Sequence, residues 1–273
     1  MADIDISLLA NLLQEAAATE ILPRFRNLGD GDVRIKTEAI DLVTEADEAA
    51  ERLIAARLKE AMPDALFVGE ESVAADPGLL GRLADAPLAV VVDPIDGTFN
   101  FASGLPLFGV MISVVSAGET VAGIIYDPMG NDWLIAEKGS GAWLCSVDGA
   151  QTQMQVSPSV PLAQMVGIAN TGYFELETRR RLLNNLADVR LFTSYRCAAH
   201  EYRAFAAGHL HFLMYNKLMP WDHLAGTLIS TESGAYAARF DGTPYLPHHV
   251  DGGLLIASDK DAWTELREKI FTV

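Results

Sequence analysis

VVDPIDGTFNF, residues 91–101, runs from an apolar strand edge straight into two carboxylates, Asp93 and Asp96, with Pro94 and Gly97 around them. Two like charges that close repel each other unless something positive sits between them. Pro94 and Gly97 also suit a tight turn, and a hydrogen-bonded turn accounts for one aspartate. It accounts for two less well.

Outward from this stretch, Leu88 to Val92 reads as a strand ending in Asp93, and Leu66-Phe67-Val68 as another ending in Gly69-Glu70-Glu71-Ser72. Residues 107–145 read as a β-meander with strands near 108–116, 120–126, 132–136 and 142–145. Strands near 165–169, 189–194, 210–215 and 254–257 then alternate with helices over 175–187, 198–207, 222–233 and 259–271. Towards the N-terminus, Leu8, Leu9, Leu12, Leu13 and Ala16 keep helical spacing within 6–27, with Pro23 bending or ending that helix. A second helix runs from Thr44 to Met62, with Asp47 completing a capping-box variant, and 28–43 reads as a loop. Alternating strands and helices predict layered α/β packing. The internal division falls near 146–158, giving an N-terminal α+β half (1–150) and a C-terminal α/β half (151–273) of one compact unit.

The chain has 273 residues, of which 50% are hydrophobic, so a sizeable core is available. A net charge of −17 argues against nucleic acid or an anionic membrane as the primary partner. No apolar run reaches the ~18 residues of a membrane span, and the N-terminus lacks a basic leader region. A cytoplasmic protein is expected. Cys145 and Cys197 match no zinc spacing and read as reduced thiols. An acidic protein acting on an anionic substrate needs local positive charge, which divalent cations supply.

Four acidic stretches are candidates for one site: DLVTEAD (41–47), VGEES (68–72), DPIDGT (93–98) and PWDHLAG (220–226). Strand ends and helix starts of this kind converge at one edge of an α/β sheet. Mg²⁺ prefers oxygen ligands, mostly carboxylate. Glu70, Asp93, Asp96 and Asp222 suffice for two ions bridged by Asp93, which cancels the repulsion between Asp93 and Asp96. Taken singly, Asp47 reads as an acid at a helix dipole, Asp222 as a helix N-cap and Glu70-Glu71 as a solvated turn. An EF-hand reading of DPIDGT fails, because Ile95 falls at a ligand position. His209 and His211 could form a metal pair, but hard-cation sites need no imidazole, and a packing role is the better reading.

Together, DLVTEAD, FVGEES, DPIDGTFNF and PWDHLAG resemble the inositol monophosphatase family of Mg²⁺-dependent, lithium-sensitive phosphatases, in order and spacing across essentially the whole chain. The resemblance implies an αβαβα layered sandwich, commonly dimeric, acting on a small phosphate monoester with two or three Mg²⁺. It implies that Glu70, Asp93 and the Ile95 carbonyl hold one ion and that Asp93, Asp96 and Asp222 hold another. Asp47 and Thr98 match the pair that orients and deprotonates the attacking water, with Glu70 beside them. Backbone groups of Gly97 and Thr98 would meet the phosphate, with Asp96 and Asp222 also lining the substrate site. Lys36 falls in a loop that is mobile over the site in the family.

The chain departs from the family pattern at two places. Seven positions before Asp222, where inositol-type members carry an acid, stands Tyr215. Where the family reads Gly-Ser/Thr-Ala-Ala, this chain reads Arg196-Cys197-Ala198-Ala199. Contacts at Cys197 and Ala198 are expected through backbone. Arg196 either faces a second anionic group of the substrate or pairs with Glu201. The candidate substrates are therefore a phosphorylated polyol such as inositol 1-phosphate, histidinol phosphate, fructose 1,6-bisphosphate and 3′(2′),5′-bisphosphate nucleotides. An interaction protein that keeps the fold is the alternative from another class.

Overall fold

The computed structural model describes residues 5–272. Residues 1–4 and 273, which the sequence reading includes in its two halves, lie outside the described residues. Helix α1 (Ile6–Ala16) begins at Asp5, whose carboxylate accepts from the Leu8 amide at 2.9 Å. It buries Leu9, Leu12, Leu13 and Ala16 of the stripe that the spacing predicts, while Leu8, at its edge, is exposed. The helical path continues through a π turn at Ala17–Ile21 and a 3-10 turn at Leu22–Arg24 that holds Pro23. The stretch 28–43, expected as a loop, contains β1 (Val33–Ile35), which pairs antiparallel with β2 (Leu42–Thr44). All three β1 residues are exposed, so no burial pattern marks the strand in the sequence. Thr44 caps α2 (Glu45–Ala61), and the capping box with Asp47 is complete.

The next elements are β3 (Leu66–Gly69), α3 (Glu70–Ala75), α4 (Gly78–Leu83), β4 (Leu88–Asp96), α5 (Thr98–Ala102), β5 (Gly109–Ser116) and β6 (Glu119–Asp127), then β7 (Asp132–Glu137), β8 (Ala142–Ser146) and β9 (Gln151–Gln153). Strands β3 to β9 form one seven-stranded sheet in chain order, with β3 and β4 parallel and the other pairs antiparallel. The chain continues with β10 (Val166–Ala169), α6 (Leu176–Asn185), β11 (Leu191–Thr193), α7 (Ala198–Ala206) and β12 (Phe212–Tyr215), then α8 (Pro220–Glu232), β13 (Tyr236–Arg239), β14 (Leu254–Ala257) and α9 (Lys260–Lys269). Its five strands form a mixed sheet in the order β11-β10-β12-β14-β13. The sequence did not reveal β9, which is fully exposed, or β13, an edge strand with two alanines.

Period-two alternation sorts each strand between layers. On β5, Val110, Ile112 and Val114 pack with α1 and α2, while Met111 joins the cluster of α7 and α8. On β12, Leu213 and Tyr215 face α7 and α8, whereas Phe212 and Met214 pack with Leu182 of α6 and Leu266 of α9. The layers are therefore α1/α2, the seven-stranded sheet, α7/α8, the five-stranded sheet and α6/α9: the αβαβα sandwich expected from the motifs. The middle helices pack closely. A Cβ on Gly226 of α8 would lie 2.0 Å from Cδ2 of Tyr202 on α7, so only glycine lets that ring lie on the helix. Because α7 and α8 are sandwiched between the sheets, their first turns are brought to the end of β4.

Candidate active site

Strands β4 and β5 stay in register to the pair Asp93–Met111, shift, and resume at Asp96–Gly109. This bulge holds Pro94, which has no amide to lose from the ladder. The Asp93 carboxylate accepts from the Ile95 amide at 3.0 Å. Asp96 accepts from the Ala199 amide at 2.5 Å and from the Cys197 thiol at 3.0 Å, where α7 begins. Asp222 lies in the first turn of α8. One carboxylate oxygen each from Asp93, Asp96 and Asp222 lie within 4.8 Å of one another. Asp222 is not the N-cap that its spacing suggested. Met219 holds that position, with Pro220 in the first turn, leaving the Asp222 carboxylate to the cluster.

Burial, then repulsion from Glu70, Asp96 and Asp222, pushes the Asp93 carboxyl well above its ordinary range. Burial and the charges of Asp96 and Glu70 do the same to Asp222, against the pull of Lys217. Asp96 is also raised by burial, partly offset by the Ala199 amide and the Cys197 thiol. An all-oxygen set of crowded carboxylates fits a hard divalent cation, which reverses each of these shifts by supplying the missing positive charge. Asp47, Glu70 and Asp222 all lie in helix first turns, where the macrodipole favours negative charge.

The charge of Glu70 acts on Asp93 and Asp222, but its carboxylate bonds to the Lys36 ammonium at 2.8 Å. Lys36 also reaches Glu71 at 2.5 Å. Burial lowers the Lys36 pKa, but Glu70 and Glu71 outweigh it, so the ammonium is held charged. The loop lysine singled out in the sequence is thus bonded into the site. Thr98 opens α5, and its hydroxyl lies 3.1 Å from Asp47 Oδ1 and 2.9 Å from the Ile95 carbonyl. Asp47 Oδ2 accepts from the Thr44 amide and hydroxyl at 2.8 and 2.5 Å. Burial raises the Asp47 carboxyl to about 7, with the Thr44 hydroxyl opposing. Gly97 has φ +89°, and a Cβ there would lie 3.0 Å from the Leu107 carbonyl and 3.1 Å from Cys197 Cβ. Backbone conformation and packing, beyond any approach of substrate, therefore demand glycine.

A cleft of about 650 Å³ opens here, lined by Glu70, Asp96, Gly97, Thr98, Cys197, Ala198 and Asp222, and by Arg196, Glu201 and Tyr215. Tyr215 is buried, and its hydroxyl lies within reach of the Glu201 carboxylate. Burial and the nearby Glu201 charge raise its pKa and keep it protonated. Arg196 does not pair with Glu201. Its guanidinium stacks on Phe99 at 3.4 Å from the ring centroid, and its backbone is left-handed at φ 54°. That conformation costs a residue with a Cβ on the order of 1–2 kcal/mol.

Two buried polar groups, Glu51 and Asn100, escape the sequence reading, and a third, Glu201, is named there only as a partner for Arg196. Glu51 accepts from the amides of Glu71 and Ser72 at 2.8 Å each and so fixes the turn that carries Glu70. It lies one helical turn after Asp47 on the buried face of α2, a position where a lone glutamate was a readable signal. Glu201 accepts from the Tyr195 amide at 2.8 Å, and Asn100 donates to the Tyr195 carbonyl at 2.8 Å. Nothing local marks these two, because their partners lie on other elements. His223 is a packing residue. Its Nε2 donates to the Lys217 carbonyl at 2.9 Å, and burial lowers its pKa to about 4, so it is neutral. His211 Nδ1 accepts from the Val166 amide at 3.1 Å.

The family model described as the inositol monophosphatase family matches residues 5–271. A Thermotoga maritima protein named fructose-1,6-bisphosphatase/inositol-1-monophosphatase is 31% identical over 77% of this chain and 76% of its own length. A Vibrio cholerae protein named Nus factor SuhB is 30% identical over 80% and 78%. The crystal structure of extragenic suppressor protein SuhB from Bartonella henselae superposes with a TM-score of 0.80 at 26% identity, covering 97% of each chain. With the sandwich, the order of the acidic motifs and this match in view, the chain belongs to the inositol monophosphatase family.

Proposed function

We propose that the chain is a Mg²⁺-dependent phosphomonoesterase acting on a small phosphorylated polyol or sugar, with Asp93, Asp96 and Asp222 holding metal. The supporting observation is that this carboxylate trio and the Thr98–Asp47 pair line or adjoin one cleft. When bound, the cation offsets the carboxylate charge and lowers the pKa of its water.

The chain's own residues account for the proton and the geometry. A threonine hydroxyl has one hydrogen and two lone pairs. Thr98 donates to Asp47 while a lone pair accepts a proton from the attacking water. The proton passes to Thr98 and then to Asp47, whose raised pKa of about 7 suits a general base near neutral pH. Glu51 positions Glu70 through the α3 turn, giving the site a further carboxylate once Lys36 withdraws. The phosphate sits against the Gly97–Thr98 backbone, with Ala198 and Cys197 across the cleft.

Names among the relatives favour a second reading. Several relatives are named Nus factor SuhB, so a role as an interaction protein on the same fold is the competing proposal. Phosphate release from a panel of phosphomonoesters, with Mg²⁺ and with chelator, separates the two. Mg²⁺-dependent turnover supports the phosphatase. Metal binding without turnover of any panel member supports the interaction protein.

A further inference from the structure

Three cations line the cleft, Arg179, Arg196 and Lys217. Among the described residues none of them forms an ion pair. In a chain of net charge −17, where acidic partners abound, three unpaired cations around one cleft call for an explanation. A solvated surface accounts for a long side chain on ordinary backbone. It does not account for Arg196.

Arg196 sits at φ 54°, a region that disfavours any residue with a Cβ. The surrounding structure enforces this. Glu201 accepts from the Tyr195 amide at 2.8 Å and the Ser194 hydroxyl at 3.2 Å. Asn100 donates to the Tyr195 carbonyl at 2.8 Å and to the Leu107 carbonyl at 2.9 Å. The Arg196 amide donates to Ser194 Oγ at 3.2 Å. The Tyr195 peptide is thus clamped on both sides by buried side chains, and the next residue is turned so that its guanidinium lies on Phe99, adjacent to Thr98. Stacking holds the guanidinium plane while leaving its N–H edge free to bond an anion in a bidentate way. With its oxygens taken by Tyr195, Ser194 and Asn170, Glu201 holds the loop and does not neutralise the arginine.

We propose that Arg196, with Arg179 and Lys217, forms a second anion subsite, so that the favoured substrate is a phosphomonoester carrying a further phosphate or carboxylate. This rests on the phosphatase reading for the scissile phosphate and extends it to the rest of the substrate. Tyr215, which cannot chelate a diol as a carboxylate does, lines the same cleft and agrees with selection by charge in place of hydroxyl chelation.

The test compares kcat/KM within matched pairs at fixed Mg²⁺: fructose 1,6-bisphosphate against fructose 1-phosphate, and 2-phosphoglycerate against glycerol 2-phosphate. Arg196→Gly is the variant, because glycine suits the left-handed backbone and keeps the loop. The wild type is expected to prefer the doubly anionic member of at least one pair by tenfold or more. The pair that shows it identifies phosphate or carboxylate. Arg196→Gly should cut that preference at least fivefold. A wild type without preference in either pair, or a preference untouched by Arg196→Gly, overturns the subsite and leaves the phosphatase reading intact. If no substrate is turned over, the phosphatase reading fails and calorimetric binding of the same pairs decides the subsite. Tighter binding of the doubly anionic member, lost in Arg196→Gly, upholds it, and equal binding overturns it.

Discussion

Thr98 Oγ1 lies 3.1 Å from Asp47 Oδ1, joining the first turn of α5 to the first turn of α2 across 51 residues of chain. The other oxygen of Asp47 is committed to the Thr44 cap. One carboxylate thus caps a helix and, in the proposed mechanism, receives a proton. Thr98→Ala removes the relay and leaves the cap, so kcat should fall about 10²–10⁴-fold with KM little changed. Thr98→Ser should retain most of the rate. Equal losses in the two variants would remove the hydroxyl from the mechanism.

In the proposed function Glu70 joins the site as a further carboxylate, and Lys36 would then compete with the metal for it, because its ammonium already holds that carboxylate at 2.8 Å. Lys36→Met should lower the Mg²⁺ concentration for half-maximal turnover severalfold, and calorimetry with Mg²⁺ alone should show the same direction. Unchanged or weakened affinity would mean that the pair does not oppose metal binding.

In the metal-free protein, stability should fall with rising pH. Burial first raises Asp47, Glu71 and Glu201 each to about 7, from ordinary values near 4. A carboxyl raised on folding contributes stability that is fully present below about pH 4 and is lost as pH climbs through about 7. Thermal unfolding in chelator should therefore show Tm decreasing from pH 5 to pH 8, and Mg²⁺ at pH 8 should recover much of the loss. A Tm that rises over this window would contradict the buried-carboxylate account.

Gly226→Ala tests the middle layer of the sandwich. Its Cβ would meet the Tyr202 ring at 2.0 Å, in a core with no room to relax. The expected cost is about 1–3 kcal/mol, or roughly 2–10 °C in Tm. An unchanged Tm would show that α7 and α8 are packed more loosely than this.

The sequence showed most of the sandwich because β4 and β5, covered on both faces, read as continuous apolar runs, and α2, in an outer layer, keeps helical spacing on its one buried face. It missed β1, β9 and β13, which are short, exposed or edge elements with little alternation to read. The acidic motifs pointed to Asp93, Asp96 and Asp222 because each stands at the boundary of an apolar element, and the structure brings these three together. The bulge that lets Asp93 and Asp96 both reach the cluster depends on where β5 resumes its pairing, which no local signal encodes. The clamp on Arg196 was hidden for the same reason. Asn100 and Glu201 acquire meaning only when the turn after β11 comes to lie beside α5.

The central claim is that Asp93 holds metal for phosphate hydrolysis, and Mg²⁺-dependent phosphate release by Asp93→Asn beside the wild type tests it most directly. Asparagine keeps an acceptor for the Ile95 amide while removing one of the crowded charges. The expected result is a loss of turnover of about 10³-fold or more, which corresponds to roughly 4 kcal/mol. Unfolding in chelator should show the variant at least as stable as the wild type. A variant that is equally well folded and still releases phosphate at the wild-type rate and Mg²⁺ dependence would contradict the claim.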